Sequence, residues 1–136
     1  MYKKLKITLI ALFCLSLVSC SKDATFNEFT TELDSTTNEI LNKIDSNPTA
    51  AGVDEAQKAF DAKKPALREK LKAIKSAFGF QVSEDARKKF TESIFKNRSA
   101  VETLKIKYVT QVSNDAEFRN KLEAFVNDYQ NTLKFN

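Results

Sequence analysis

The sequence predicts an all-α fold, an up-down antiparallel four-helix bundle that follows an N-terminal segment of different composition. Two observations support this prediction. After position 24 the apolar residues recur at three- and four-residue spacing, which is typical of amphipathic helices, and no segment alternates as a half-buried strand would. The 136 residues contain only two glycines and two prolines, so few positions interrupt a helix. Long helices joined by short connections pack most readily as antiparallel neighbours.

The first two predicted helices are separated by a short break. The first helix begins at the capping box Thr25-Phe26-Asn27-Glu28, where the threonine hydroxyl and the glutamate carboxylate each bind a free backbone amide. It ends within residues 45–52, because the proline there lacks an amide donor. The second helix occupies residues 53–78, and its apolar positions keep the same phase before and after Pro65. We therefore predict one continuous second helix that is kinked at this proline.

The other two helices follow a predicted stop at Gly79. This glycine is expected to adopt the left-handed conformation, with Phe80 folded back on the last turn. A third helix is predicted over residues 84–112 and a fourth over residues 115–134. The apolar stripes of the four helices predict a core made of Phe26, Phe29, Leu33, Ile40, Leu41, Ile44, Val53, Ala56, Phe60, Leu67, Leu71, Ile74, Phe78, Ala86, Phe90, Ile94, Val101, Leu104, Tyr108, Val112, Phe118, Leu122, Phe125, Tyr129 and Leu133.

A six-residue sequence occurs twice, as QVSEDA at residues 81–86 and as QVSNDA at residues 111–116. Each copy has a serine, Ser83 or Ser113, whose hydroxyl can cap a helix, and a carboxylate in the following helical turn. Repeat proteins need three or more sustained units. The similarity therefore predicts two helices that start in the same way rather than a repeat architecture.

The first twenty residues contain the parts of an export signal. The apolar run Ile7–Val18 follows three lysines, Lys3, Lys4 and Lys6, and is shorter than the roughly twenty residues that a transmembrane helix needs. The run ends at Leu17-Val18-Ser19-Cys20. This tetrapeptide resembles the lipobox of bacterial lipoprotein precursors, in which an aliphatic residue, a small or aliphatic residue, and glycine, alanine or serine precede the cysteine.

The resemblance implies an anchor and a location. In that family the cysteine thiol receives a diacylglyceryl group, the peptide is cut before it and the new amine is usually acylated, which provides the two or more acyl chains that stable anchoring needs. By this resemblance, residues 1–19 are the signal peptide, Cys20 is the membrane anchor, residues 20–24 are a lipidated tether and residues 25–136 are the helical domain. Ser21 stands where enteric-type sorting has the aspartate that retains a lipoprotein in the inner membrane. This favours the outer membrane, on its periplasmic or surface face, in a cell that has two membranes.

Composition argues against several classes of function. Removing the three signal lysines leaves 19 basic side chains against 18 acidic ones, so the mature chain is nearly neutral and is not expected to bind nucleic acid. The chain has no histidine, and the lipoprotein resemblance implies that one of its two cysteines is removed and the other is alkylated. The usual zinc, copper and haem sites and the histidine-dependent nucleophiles are therefore not expected. We expect no cofactor, no metal and no enzymatic activity.

The expected function is a non-catalytic domain that contacts an envelope protein or the membrane surface, and two alternatives stay open. The phenylalanine-rich core could hold a small apolar ligand, which predicts a cavity among those rings. Two carboxylates alone could support hydrolysis, which predicts two acids that converge in a cleft, one of them with a raised pKa.

A charged surface on the second helix is the first candidate for partner binding. Residues 23–45 carry six acids against one lysine, whereas residues 61–75 carry six basic side chains against two acids. In the basic segment, the side chains that border the apolar stripe are Lys64, Arg68 and Lys75. They either bind an anionic partner, such as lipid headgroups or an acidic protein, or cover the core with their stems and face the acidic first helix. The second interpretation is favoured, because exposed ion pairs need no special role.

A second apolar stripe on the third helix is the other candidate. Phe95, Ile106 and Val109 lie away from the main apolar face of this helix. They are either exposed for a partner or a second copy of the chain, or the helix is central and buries both faces. The second interpretation is favoured, but these three residues are the first to mutate.

Overall fold

The computed structural model describes residues 22–79 and 81–135, and this part of the chain is helical and contains no β-strand. The predicted all-α class is therefore confirmed. The helices are α1 (Asp23–Ser46), α2 (Ala50–Ala77), α3 (Glu84–Glu102), α4 (Leu104–Lys107), α5 (Val109–Asn114) and α6 (Ala116–Thr132).

The helices form a bundle around one hydrophobic core. Helices α1 and α6 each pack against both α2 and α3. Nearly all residues of the predicted stripes are buried, as expected if apolar burial provides most of the favourable free energy of folding. The exceptions are Leu41 and Val112, which are partly buried, and Phe78, which is 38% exposed. Val126 is also buried, although it lies outside the predicted stripes.

Helix α1 begins at Asp23, two residues before the predicted capping box at residues 25–28, so that prediction is wrong. The start of the helix is held by the α2–α3 loop. The Lys22 backbone amide donates to the Gln81 carbonyl at 2.8 Å, and the Asp23 carboxylate accepts from the Ser83 backbone amide at 2.8 Å. These long-range contacts extend α1 into two residues that were assigned to the tether.

Helix α2 begins at Ala50 and is capped by the Thr49 hydroxyl, which accepts from the Gly52 amide at 3.4 Å. Gly52 therefore lies in the first turn of α2. A Cβ at this position would lie only 1.8 Å from the Asn47 carbonyl oxygen, so the close approach of the two backbones requires glycine. The helix then continues through Pro65 without interruption, as predicted.

The connection between α2 and α3 follows the predicted stop. Gly79 has a φ of +100°, which confirms the left-handed conformation, whereas Phe80 lies outside the described residues. The Ser83 hydroxyl then caps α3 by accepting from the Ala86 amide at 3.1 Å, as predicted.

The predicted third helix is not continuous, because it divides into α3, α4 and α5 at Thr103 and Tyr108. Tyr108 has φ −108° and ψ 33°, outside the helical region. Its ring is buried, and its hydroxyl donates to the Asp45 carboxylate near the end of α1. The helix is thus interrupted at the residue that makes this tertiary contact, although the local sequence pattern is helical.

The second serine cap is also wrong. The Ser113 hydroxyl donates to the Val109 carbonyl one turn earlier, inside α5. Asp115 caps α6 instead, and its carboxylate accepts from the Phe118 amide at 2.9 Å. Aspartate and serine are about equally effective caps, so the sequence alone did not distinguish them.

Candidate interaction surface

The bundle has two ends, which we name by their contacts. The proximal end contains Lys22, residues 81–83 and the rings of Phe78 and Phe135, whose centroids lie 5.0 Å apart. The distal end contains the α1–α2 connection, α4, α5 and the start of α6. Helix α1 has 24 residues and joins the two ends, which are therefore about 36 Å apart at 1.5 Å per residue.

All three residues of the second apolar stripe are exposed, so the interpretation that the helix buries both faces is wrong. The exposed fractions are 72% for Phe95, 75% for Ile106 and 58% for Val109. Ile106 and Val109 lie three residues apart at the distal end, and we call them the distal apolar pair. Phe95 lies on α3, eleven residues before Ile106 and on the other side of the break at Thr103, so it is not part of this pair.

Lys64 takes part in the contact between α2 and α6. Its ammonium lies 2.8 Å from the Asp61 carboxylate, also binds the Asp128 carboxylate of α6, and lies 5.3 Å from the centre of the Phe60 ring. Burial lowers the pKa of Lys64, but the hydrogen bonds to Asp128 and Asp61 outweigh it and raise the pKa overall. The stem of this lysine thus covers the core as expected, although its carboxylate partners lie on α2 and α6 rather than on α1.

Arg68 and Lys75 are both exposed, and they do not join Lys64 in one site. The Lys75 ammonium lies 5.6 Å from the Phe135 ring at the proximal end. It is eleven residues, or about 16 Å of helix, from Lys64. Another cation of α2, Lys70, reaches the acidic first helix and pairs with Glu32.

Sequence reasoning missed a polar cluster between α1 and α3. The Ser93 hydroxyl donates to the Asp34 carboxylate at 2.8 Å, and the Asn97 side-chain amide donates to the same oxygen and to the Ser93 carbonyl. Ser93 and Asn97 are 6% and 3% exposed, so the carboxylate satisfies donors that water does not reach. The four-residue spacing of the two side chains, beside the apolar face of α3, was the available signal.

A second missed contact joins α1 to α6. The Thr37 hydroxyl donates to the Leu33 carbonyl at 2.8 Å, so the Tyr129 hydroxyl is the donor in the 2.6 Å bond between Tyr129 and Thr37. Burial raises the pKa of Tyr129 well above the usual range of tyrosine, because the core disfavours the phenolate.

Two open grooves run along the sides of α1, and both are lined by polar residues. The first, about 570 Å³, includes Glu28, Glu32 and Glu39 of α1 with Lys63 and Lys70 of α2. The second, about 540 Å³, lies between α1 and α3. Neither groove contains a phenylalanine, and within the described residues no three carboxylate, histidine or cysteine side chains form a group that could hold a metal ion.

The core phenylalanines contact one another. The Phe90 ring centroid lies 5.4 Å from that of Phe26 and 5.5 Å from that of Phe29, and Phe60 lies 5.0 Å from Tyr129. These distances are typical of packed aromatic pairs. The observed geometry therefore favours a filled core over a ligand-binding cavity.

Comparison of the chain with protein-family models, curated proteins and solved structures finds no match. Among the helices described above, none has the length and apolar character that crossing a bilayer requires.

Proposed function

We propose that this chain is a lipid-anchored protein of the cell envelope whose helical domain acts through non-catalytic contact with an envelope protein. The observation that carries the proposal is the tetrapeptide Leu17-Val18-Ser19-Cys20 after the short apolar run Ile7–Val18. Ser21 favours the outer membrane where the cell has two. The near-neutral mature chain fits a protein-contact role better than binding to nucleic acid.

The proposal includes an architecture, an up-down antiparallel four-helix bundle with a kink at Pro65. Its third unit is formed by α3, α4 and α5 together. The contacts of α1 and α6 with both α2 and α3 support it. In this arrangement the anchor enters at the proximal end, and the distal apolar pair is presented about 36 Å from it, where a partner can reach it.

The lipid anchor is tested with the two cysteines of the chain. In cells fed a labelled fatty acid, the full-length protein incorporates the label, and Cys20→Ala abolishes it. Cys14→Ala is the matched control, because this residue lies within the proposed signal peptide, and it keeps the label. Equal labelling of both variants, or no labelling of the unaltered chain, would contradict the proposal.

The contact surface is tested by photocrosslinking in living cells. A photoreactive residue at position 106 is expected to give a discrete crosslinked product, which disappears when Val109→Asp is added. The control position is 123, an exposed glutamate of α6, and it gives no such product. Equal products from both positions would remove the distal apolar pair from the proposal.

A further inference from the structure

We propose that the proximal end of the bundle docks on the surface of the bilayer, so that the domain stands end-on upon the membrane that holds its lipid. The inference rests on the proposed lipidation of Cys20. The occupant of this surface is the headgroup layer and the outermost part of the acyl chains of that membrane. The contact makes the anchor and the domain one rigid unit and sets the height of the distal apolar pair.

The first step is the length of the tether. Cys20 precedes Lys22 by two residues, which span at most about 7 Å even when fully extended. Unwinding the start of α1 would lengthen it only by breaking the bonds from the Lys22 amide to Gln81 and from Asp23 to the Ser83 amide. A lipid on Cys20 therefore holds the proximal end at the headgroup level.

The second step is the chemistry of that end. Phe78 is 38% exposed, although its ring lies against those of Phe26, Phe90 and Phe135. Phe135 is also partly exposed, and the Lys75 ammonium lies 5.6 Å from its ring. Apolar rings beside a lysine suit a membrane interface, where the rings enter the boundary layer while the lysine extends to the headgroups.

The third step is the charge at the proximal end, which is nearly balanced. Its basic side chains are Lys22, Lys75, Lys134 and, in the first turn of α3, Arg87; its carboxylates are Asp23, Glu84 and Asp85. The rings rather than net charge must then supply the attraction, so docking does not require anionic lipid and persists at high salt.

The experiment exploits the lack of tryptophan in the chain. Phe78→Trp and Phe95→Trp each introduce one indole, the first at the proximal end and the second on the side of the bundle, where the native ring is 72% exposed. Each full-length variant is purified with its lipid and reconstituted into phosphatidylcholine vesicles, with or without lipids brominated near the headgroup end of the acyl chain. An amphipathic surface enters the interface by about 5–10 Å, so roughly half of the emission from position 78 should be quenched. Position 95 should be unaffected, and high salt should change neither result.

Two outcomes overturn the inference while leaving the proposed anchor in place. If Cys20 carries lipid but position 78 is not quenched, the domain stands free of the bilayer, and the proposed anchor survives while the docking does not. If position 95 is quenched instead, the bundle lies on its side. Absence of lipid on Cys20, read from the mass of the same preparation, would remove both proposals together. Unchanged circular dichroism and thermal melting verify that each variant folds.

Discussion

Replacing Gly52 with alanine tests the close approach of α2 to the α1–α2 connection. In a helix, alanine is more favourable than glycine by roughly 0.8–1.0 kcal/mol, so helix propensity alone predicts a more stable variant. The structure predicts the opposite, a less stable variant. The added Cβ would lie 1.8 Å from the Asn47 carbonyl oxygen and 2.9 Å from its carbonyl carbon. Both are backbone atoms, so rotation of a side chain cannot relieve the overlap.

The α1–α2 connection must therefore move, together with its hydrogen bonds. The Asn47 carbonyl accepts from the Thr49 amide at 2.8 Å, and the Thr49 hydroxyl caps α2. Overpacking costs about 1–3 kcal/mol, and losing a cap costs about 1 kcal/mol. After the gain in propensity, we expect a net destabilisation of about 2 kcal/mol, or a fall in Tm of roughly 8 °C for a domain of this size.

Urea unfolding followed by far-UV circular dichroism measures this change. Ala51→Gly is the control, since this exposed neighbour reports propensity without a steric contact and should lose only about 0.8 kcal/mol. Both variants should be less stable than the unaltered protein, although one replaces glycine with alanine and the other replaces alanine with glycine. A Gly52→Ala protein as stable as the unaltered one would refute the close approach.

Two further variants test contacts that join the helices, and a third tests the distal apolar pair. Tyr129→Phe should cost about 1 kcal/mol at neutral pH through the lost bond to Thr37. Burial raises the pKa of the Tyr129 phenol, so above about pH 10 the folded protein keeps this proton while the unfolded chain loses it. The free energy of unfolding should therefore fall by up to about 1.4 kcal/mol per pH unit through this group. That contribution to the pH dependence should be absent from Tyr129→Phe. Asp34→Ala should lower the free energy of unfolding by about 2 kcal/mol, because it leaves buried donors unsatisfied. The control Asp54→Ala removes an exposed carboxylate and should change it by less than about 0.5 kcal/mol. Chemical denaturation measures both changes. Ile106→Asp should change stability equally little yet reduce crosslinking from a probe placed at position 109, and unchanged crosslinking would count against the distal contact.

The helices and the core could be predicted because apolar spacing is a local property of the chain. Phe60 and Leu67 repeat the helical period, and burial then selects that face. Two of the errors fall where a distant residue determines the local backbone. The start of α1 depends on its bonds to residues 81–83, and the departure at Tyr108 accompanies its bond to Asp45. Neither partner is visible within a window of neighbouring residues.

The candidate surface was less predictable for a related reason. Helical phase shows that Phe95 and Ile106 leave the core face, but only the packing of the bundle decides whether another helix covers them. The buried hydroxyl of Thr37 was missed because the sequence pattern is compatible with either an exposed or a buried threonine. Its burial requires a hydrogen-bond partner, Tyr129, which is distant in sequence. The lipobox differs, because four adjacent residues carry its whole signal.

The measurement that tests the central claim most directly is the mass of the N-terminal peptide of the protein extracted from native membranes. We expect a peptide that begins at Cys20 and carries a thioether-linked diacylglyceryl group, with or without a further acyl chain on its amine. Such a peptide would place the lipid two residues before Lys22, next to the proximal end. A peptide that begins elsewhere, or one in which Cys20 carries no lipid, would contradict the account.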